Sequence, residues 1–210
     1  MTDLIIVGAG GFGRETLMMI EEINASEPKW NVLGFIDDNL CALDGINCEK
    51  HILGKIADWE IKEGVFFVLS IAEPHTKKVI AELLKSRGAK FATLIHPTSR
   101  LGKNTTIGEG VILAARTDVT TNIKLGNFVF LNVASQVGHD CIIGDYCTLF
   151  PNSSVAGGSV LGDGVTVGTS AATYPGVKVG EYATIGMNSA VIRNVKPNTT
   201  VMGVPAKRIV

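Results

Sequence analysis

Hydrophobic and polar positions along the chain follow two different periods, and the change falls near residue 100. In the first part, short apolar runs alternate with segments whose apolar residues recur every three or four positions. LIIV (4–7), NVLGFI (31–36), VFFVLSI (65–71) and FATLI (91–95) read as strands. After the first, RETLMMIEEINAS places Thr16, Met19, Ile20 and Ile23 at helical spacing. A second helix is predicted from Pro74 to Gly88. Val79, Ile80, Leu83 and Leu84 line one face, Pro74 suits the first turn and Gly88 the end. Strands alternating with helices predict a small parallel α/β sheet over residues 1–95.

Beyond that point the helical period vanishes and a period of six replaces it. Glycine stands at 102, 108, 126, 138, 144, 162, 168, 180 and 186. The residue before each of these places is aliphatic from Leu101 to Val191, and Thr173 alone breaks the series. Four residues after each aliphatic position comes a small or β-branched one, such as Thr105, Val111, Ser135, Cys141, Cys147 and Ser153. The register runs through sixteen hexads, 101–196, without insertion or deletion. Strands of an ordinary β-sandwich share no such register. Each hexad reads as a short strand and a tight corner, with the aliphatic and small residues inside and the glycine where the backbone turns. A unit this small cannot bury its apolar residue alone, so it must stack on copies of itself.

Composition narrows the functions open to this architecture. Nineteen basic and twenty acidic residues leave a formal net charge of −1, which gives no electrostatic case for nucleic acid or a membrane surface. No apolar run is long enough to span a bilayer, and MTDLIIVGAGGFG lacks the basic start and cleavage site of a signal peptide. Cys41, Cys48, Cys141 and Cys147 have no CxxC spacing, so neither a metal site nor a disulfide framework is expected. Cys141 and Cys147 fall on inward places of the repeat. The cytoplasm is the expected compartment.

Two stretches carry candidate chemistry. Gly8-Ala9-Gly10-Gly11-Phe12-Gly13 fits GxGxxG between a strand and a helix, and Asp37 follows the second strand in GFIDD. Such glycines let a backbone approach a pyrophosphate at a helix N-terminus, and the acidic residue takes ribose hydroxyls. Only about four strands precede the repeat, which disfavours an NAD-dependent oxidoreductase. The bland alternative for Gly10 and Gly13 is close packing of helix on strand. The second stretch is SQVGHDCIIGD (135–145), where His139 precedes Asp140. Alone, a His-Asp pair in a turn is more often a surface feature than a catalytic one. The other histidines read as structural, His96 just before the repeat included.

The pattern [LIV]-G-x-x-[STAV]-x over 101–196, with GVPAKRIV (203–210), resembles the hexapeptide-repeat acyltransferases. That likeness implies a left-handed parallel β-helix over 96–210, with three hexads to a coil. Joined to GAGGFGRE, GFIDD and LIHPTS, it resembles one group of bacterial sugar acetyltransferases across essentially the whole chain. These are related to the sialic acid O-acetyltransferase and to the N-acetyltransferase of UDP-4-amino sugars. The resemblance implies that Gly8, Gly10, Gly11, Asp37 and Asp38 hold the nucleotide of a nucleotide-sugar substrate. SIAEPHTKK departs from the family's AIGxNxxR, with Ala72 in place of the glycine. His139 would be the general base, oriented by Asp140, in direct transfer from acetyl-CoA. Imidazole accepts a proton near neutral pH, and a carboxylate fixes its tautomer. Gly157 lies one coil beyond (139 + 18) and would give its N–H to the oxyanion. Thr148 stands where some relatives carry a second histidine that contacts the cofactor, and Lys207 and Arg208 would meet the phosphates of CoA. A homotrimer is implied, with no metal. Transfer to an amino group leads; transfer to a hydroxyl is the alternative, and a non-catalytic nucleotide-binding β-helix protein a more distant one.

Overall fold

The computed structural model describes residues 1–209, which form two compact units by backbone contacts, 1–97 and the residues from 98 on. In the first unit five parallel strands, β1 (Thr2–Val7), β2 (Trp30–Ile36), β3 (Ile52–Gly54), β4 (Phe66–Leu69) and β5 (Lys90–Phe91), form a sheet in the order 3-2-1-4-5. Helices α1 (Gly11–Ser26) and α2 (Pro74–Ser86) complete the doubly wound arrangement. Leu4, Ile5, Ile6 and Val7 of β1 are all buried, because the central strand is covered on both faces.

Three details depart from the sequence expectation. FATLI is not one strand: β5 ends at Phe91, Ala92 donates its N–H to Phe67 O, and a separate strand, β6, spans Leu94–Ile95. The short strand β3 left no periodic signal. On α2 the buried residues are Lys77, Ala81 and Leu84, while Val79 is 63% exposed. The aliphatic count rotated that face because it scored Lys77 as polar, whereas its stem and ammonium are wholly enclosed.

In the second unit sixteen two-residue strands, from Arg100–Leu101 to Ala190–Val191, occur one per hexad. Each pairs in parallel with the strand eighteen residues away, as Gln136 with Ser154 and Val137 with Val155. The three columns of strands are the sides of a parallel β-helix, each coil taking three hexads. The interior is the expected one: Val119, Leu131, Val137, Leu149 and Val167 are fully buried, with Cys141, Cys147 and Ser153 filling the places between. The two inner thiols donate to backbone carbonyls, Cys141 Sγ to Ala156 O at 3.2 Å and Cys147 Sγ to Gly162 O at 3.1 Å. All four cysteines are free, and the described residues hold no cluster of metal-ligating side chains. Among the described residues no helix is long and apolar enough to cross a membrane.

The corners differ from the reading of the hexad glycines. The residue with positive φ is not the glycine after the aliphatic position but the residue two places later, from Asn104 (φ 57°) to Asn188 (φ 54°), and it includes Phe128, Ala134 and Tyr146. The hexad glycine serves another need. A Cβ on Gly126 would stand 2.7 Å from Gly144 C and Asp145 N, and one on Gly138 2.6 Å from Gly157 N. Coils stack at the spacing of paired strands, about 4.8 Å, and at this place nothing larger than hydrogen fits between them.

Candidate active site

His139 and Asp140 form one corner of the β-helix. Asp140 holds the left-handed turn (φ 60°) and is anchored by its N–H on Thr121 O. Its carboxylate Oδ2 lies 2.8 Å from His139 Nδ1, and its Oδ1 accepts from Asn122 Nδ2 at 3.1 Å. Asn122 Oδ1 in turn accepts from Asn104 Nδ2 at 3.1 Å. Asn104, Asn122 and Asp140 are successive left-handed corner residues at eighteen-residue spacing, so the stacking of coils itself builds this polar ladder. Hydrogen bonds from His139 and then Asn122 hold the Asp140 carboxyl below the usual carboxylate range. An ionised carboxylate only accepts, so the bridging proton sits on His139 Nδ1, and in the neutral imidazole Nε2 carries the lone pair.

Nε2 points over Gly157. A Cβ built on Gly157 would lie 2.5 Å from His139 Nε2 and 2.7 Å from Cε1, so the imidazole occupies the space a side chain would need. The backbone around Gly157 is oriented from within. The Ala156 carbonyl accepts from the buried Cys141 thiol and therefore faces the core. In a planar trans peptide the N–H of the following residue points the opposite way, so Gly157 N–H faces outward. It meets no acceptor among the described residues, while Gly157 O takes the N–H of Gly176 at 3.0 Å and Gly158 N–H is held by His139 O at 2.8 Å.

Thr173, the residue that interrupts the aliphatic register, lies one coil above Val155. Its Oγ1 accepts the N–H of Ala156 at 2.9 Å, and the pairing Val155↔Thr173 expected of a regular ladder is replaced by this side-chain bond. Asn122 and Thr173 both went unnoticed as site residues. Their signals were present: an Asn-Asn-Asp series at 104, 122 and 140, and the single polar residue on an aliphatic row.

Thr148 corrects an expectation. It has no exposed surface, since its strand Thr148–Leu149 is buried at both residues, and it offers nothing to a cofactor in this arrangement. Lys207 and Arg208 are exposed on the last strand, which runs antiparallel to Thr200–Met202. Arg208 lines a cleft of about 280 Å³ with Arg193, Lys196 and Thr199, a basic setting suited to phosphate.

In the first unit the glycine loop lies at the carboxyl end of β1, where the strand order reverses between β1 and β4. Ligands of doubly wound sheets bind at this place. The glycines divide by role. Gly8 has φ 98°, and a Cβ on Gly13 would run into the Gly8 carbonyl, so Gly13 sets the close packing of α1 on the loop. Gly10 and Gly11 face open space, and Gly10 caps α1 with no side-chain bond to its N–H groups. Asp37 closes the loop: its Oδ2 accepts from Ala9 N at 2.7 Å and its Oδ1 from Asn39 N at 2.8 Å. Asp38 Oδ1 accepts from Ile56 N and Ala57 N. Asp38 thus ties together its own loop.

A doubly wound unit followed by a parallel hexapeptide β-helix with a His-Asp corner over a glycine defines the class of this chain. Comparison with known proteins says what the chain is similar to. Residues 3–84 match the PglD N-terminal domain family. The UDP-N-acetylbacillosamine N-acetyltransferase of Bacillus subtilis (strain 168) is 29% identical over 118 residues, which is 55% of this chain and 52% of that protein. The match thus spans about half the length of that curated relative. Among solved structures, WeeI from Acinetobacter baumannii AYE superposes over all of both chains with a TM-score of 0.88 and 27% identity. PerB from Caulobacter crescentus, in complex with CoA and GDP-perosamine, shares the fold at a TM-score of 0.86 and 24% identity, over 98% of this chain and 96% of that one.

Proposed function

We propose that this protein transfers an acetyl group from acetyl-CoA to an amino group of a nucleotide-linked sugar, directly and without an acyl-enzyme. The observation that carries this reading is the apposition of His139 and Gly157. The imidazole lies over the same residue whose outward N–H meets no acceptor among the described residues, and attack on a thioester needs a base and such a donor. The acceptor nitrogen adds to the thioester carbonyl carbon, forming the N–C bond. The oxygen becomes an oxyanion against Gly157 N–H. His139 Nε2 takes the proton from the nitrogen, and Asp140 compensates the imidazolium. Collapse breaks the C–S bond, and the proton passes to the departing CoA thiolate.

The nucleotide-linked acceptor is supported by the open glycines of the first unit and by the substrate named for the Bacillus subtilis relative. Gly8, Gly10 and Gly11 would meet the diphosphate with backbone N–H groups, and Asp37 would hold the loop in shape. Asp38, already bonded to two backbone N–H groups, would act through its loop. Lys207 and Arg208 would meet the phosphates of CoA. The assembly would be a homotrimer, and four free thiols suit the reducing cytoplasm.

The test is CoA-thiol release from acetyl-CoA with UDP- and dTDP-linked 4-amino sugars and free sialic acid, for wild type and His139→Ala. The expected result is turnover with an amino sugar that falls by about 10²–10⁴ in the variant, the range of general-base catalysis. Turnover with sialic acid alone would replace the amine by a hydroxyl acceptor. Equal rates in wild type and variant would remove His139 from the mechanism.

A further inference from the structure

The aliphatic row of the β-helix runs from Leu101 to Val191 with one polar interruption, the buried Thr173. The repeat itself asks for an aliphatic residue here, since Val155 and Val191, one coil below and one above, share the row. The interruption changes the hydrogen bonding of one rung. Gly102, Thr120, Gly138 and Tyr174 donate their N–H groups to the backbone carbonyls of Val119, Val137, Val155 and Val191. Ala156 belongs to the same column, yet its N–H goes to the side-chain Oγ1 of Thr173 at 2.9 Å. Ser159, fully buried, places its Oγ 3.4 Å from that same oxygen, so the hydroxyl has a polar neighbour inside the core.

Ala156 is the residue that leads into Gly157. Two peptide planes meet at its Cα, and a core side chain holds each of them. Thr173 takes the N–H of the peptide before Ala156, and Cys141 Sγ donates to the carbonyl of the peptide after it at 3.2 Å. That second plane carries the Gly157 N–H. Pinning both planes fixes φ and ψ of Ala156, and with them the direction of the Gly157 N–H. The rule of the repeat is thus broken at the rung that enters the residue His139 covers. A local break of this kind is expected where function overrides stability. We propose that Thr173 is a positioning residue for acetyl transfer, whose hydroxyl holds Ala156 so that the Gly157 N–H points at the thioester oxygen. The inference rests on the reading of Gly157 as the oxyanion donor. Thr173 is enclosed in the core and acts through Ala156 rather than by touching substrate. Without the hydroxyl the rung closes as its neighbours do, the Ala156 N–H turns to the backbone carbonyl of position 173, and the Gly157 N–H turns away.

The experiment compares full-length wild type, Thr173→Val and Thr173→Ser by CoA-thiol release, thermal melting and amide nitrogen–proton NMR at Gly157. Thr173→Val completes the aliphatic row, so its melting temperature should hold or rise. Its kcat should fall about tenfold to a hundredfold, as for a displacement of about 1 Å in a reacting geometry, while KM for acetyl-CoA holds. Its Gly157 amide resonance should move. Thr173→Ser keeps the hydroxyl and loses a buried methyl, so it should melt lower. Its kcat and its Gly157 resonance should nevertheless return towards wild type. Stability and activity then move in opposite directions, which a merely structural role does not produce. The proposal is overturned if Thr173→Val turns over as wild type does or leaves the Gly157 resonance in place. It is overturned equally if a folded Thr173→Ser is as slow as Thr173→Val, or if Thr173→Val fails to fold, since the hydroxyl would then serve the fold. A wild type that transfers acetyl to no acceptor would instead sink the transfer reading on which the proposal rests, so the wild-type rate tells the two failures apart.

Discussion

In the proposed mechanism, the role of His139 turns on which ring nitrogen carries the proton. Asp140 settles it, and Asn122 settles Asp140 by holding the second carboxylate oxygen. Replacing Asp140 by Asn removes the charge that compensates the imidazolium and lets the amide present either a donor or an acceptor to Nδ1. Because the pair is solvent-exposed, the expected loss in kcat is about tenfold to a hundredfold, below the loss from removing the base itself. Asn122→Ala should cost less, about threefold to tenfold, while KM for acetyl-CoA holds. Nitrogen NMR of the ring should show the Nδ1–H tautomer dominant in wild type and diluted in both variants. The pH dependence has a definite sign. A carboxyl held below its ordinary range stays charged as pH falls from 7 to 5, so its interaction is fully present above the ordinary carboxylate pKa of about 4 and is lost only below it. An activity decline between pH 7 and 5 should therefore persist in Asp140→Asn. Its disappearance there would assign that decline to Asp140.

At the scale of the element, the hexad divides its two special places between two physical demands. The glycine after the aliphatic residue answers contact between coils, and the residue two places later answers the left-handed turn. Periodicity located the glycine and gave the turn to it, because a glycine in a sequence does not say whether its missing Cβ or its free φ is being used. The structure separates them at Gly126, where φ is ordinary and the next coil leaves no room, and at Phe128, where φ is 55° and the side chain is accepted. Each such non-glycine corner costs about 1 kcal/mol, which stacking on both sides must offset. Gly126→Ala should lower the melting temperature through an overpacking cost of about 1–3 kcal/mol. Asn152→Gly, at a left-handed corner (φ 57°) away from His139, should be neutral or mildly stabilising in the same assay. The reverse order would return the turn to the hexad glycine. The misjudged face of α2 has a similar cause: Val79 counts as apolar and is exposed, while Lys77 counts as polar and is enclosed.

For the whole molecule, the proposed function assigns nucleotide binding and acetyl transfer to different units. Gly10 and Gly11 face open space at the switch point of the sheet, and Gly13 is consumed by packing. A variant that loosens the loop should therefore weaken nucleotide binding and leave the β-helix intact. Asp37→Ala, which releases Ala9 N–H, should weaken UDP binding by about tenfold in calorimetry, the worth of one charge-assisted bond. The expected trimer is checked by light scattering, which should return three times the chain mass.

The sequence by itself determined the change of period near residue 100, the parallel α/β unit, the number and register of the hexads, the inward thiols and the eighteen-residue step from His139 to Gly157. All but the last follow from periodicity, since a repeat in sequence is a repeat in space once coils stack; the step of eighteen came from the family resemblance, which implied three hexads to a coil. Only the tertiary structure decided how that step is used. Whether His139 covers Gly157, whether the Gly157 N–H faces in or out, whether Thr148 has any surface, and whether Asp37 faces the glycine loop all depend on directions set by residues fifteen to thirty positions away. Cys141 fixes the peptide before Gly157 from the core, Asn122 fixes Asp140 from the coil below, and Ala9 draws Asp37 across the sheet. Periodicity says which residues are neighbours. The orientation of a backbone amide or a carboxylate is decided by the hydrogen bonds those neighbours make.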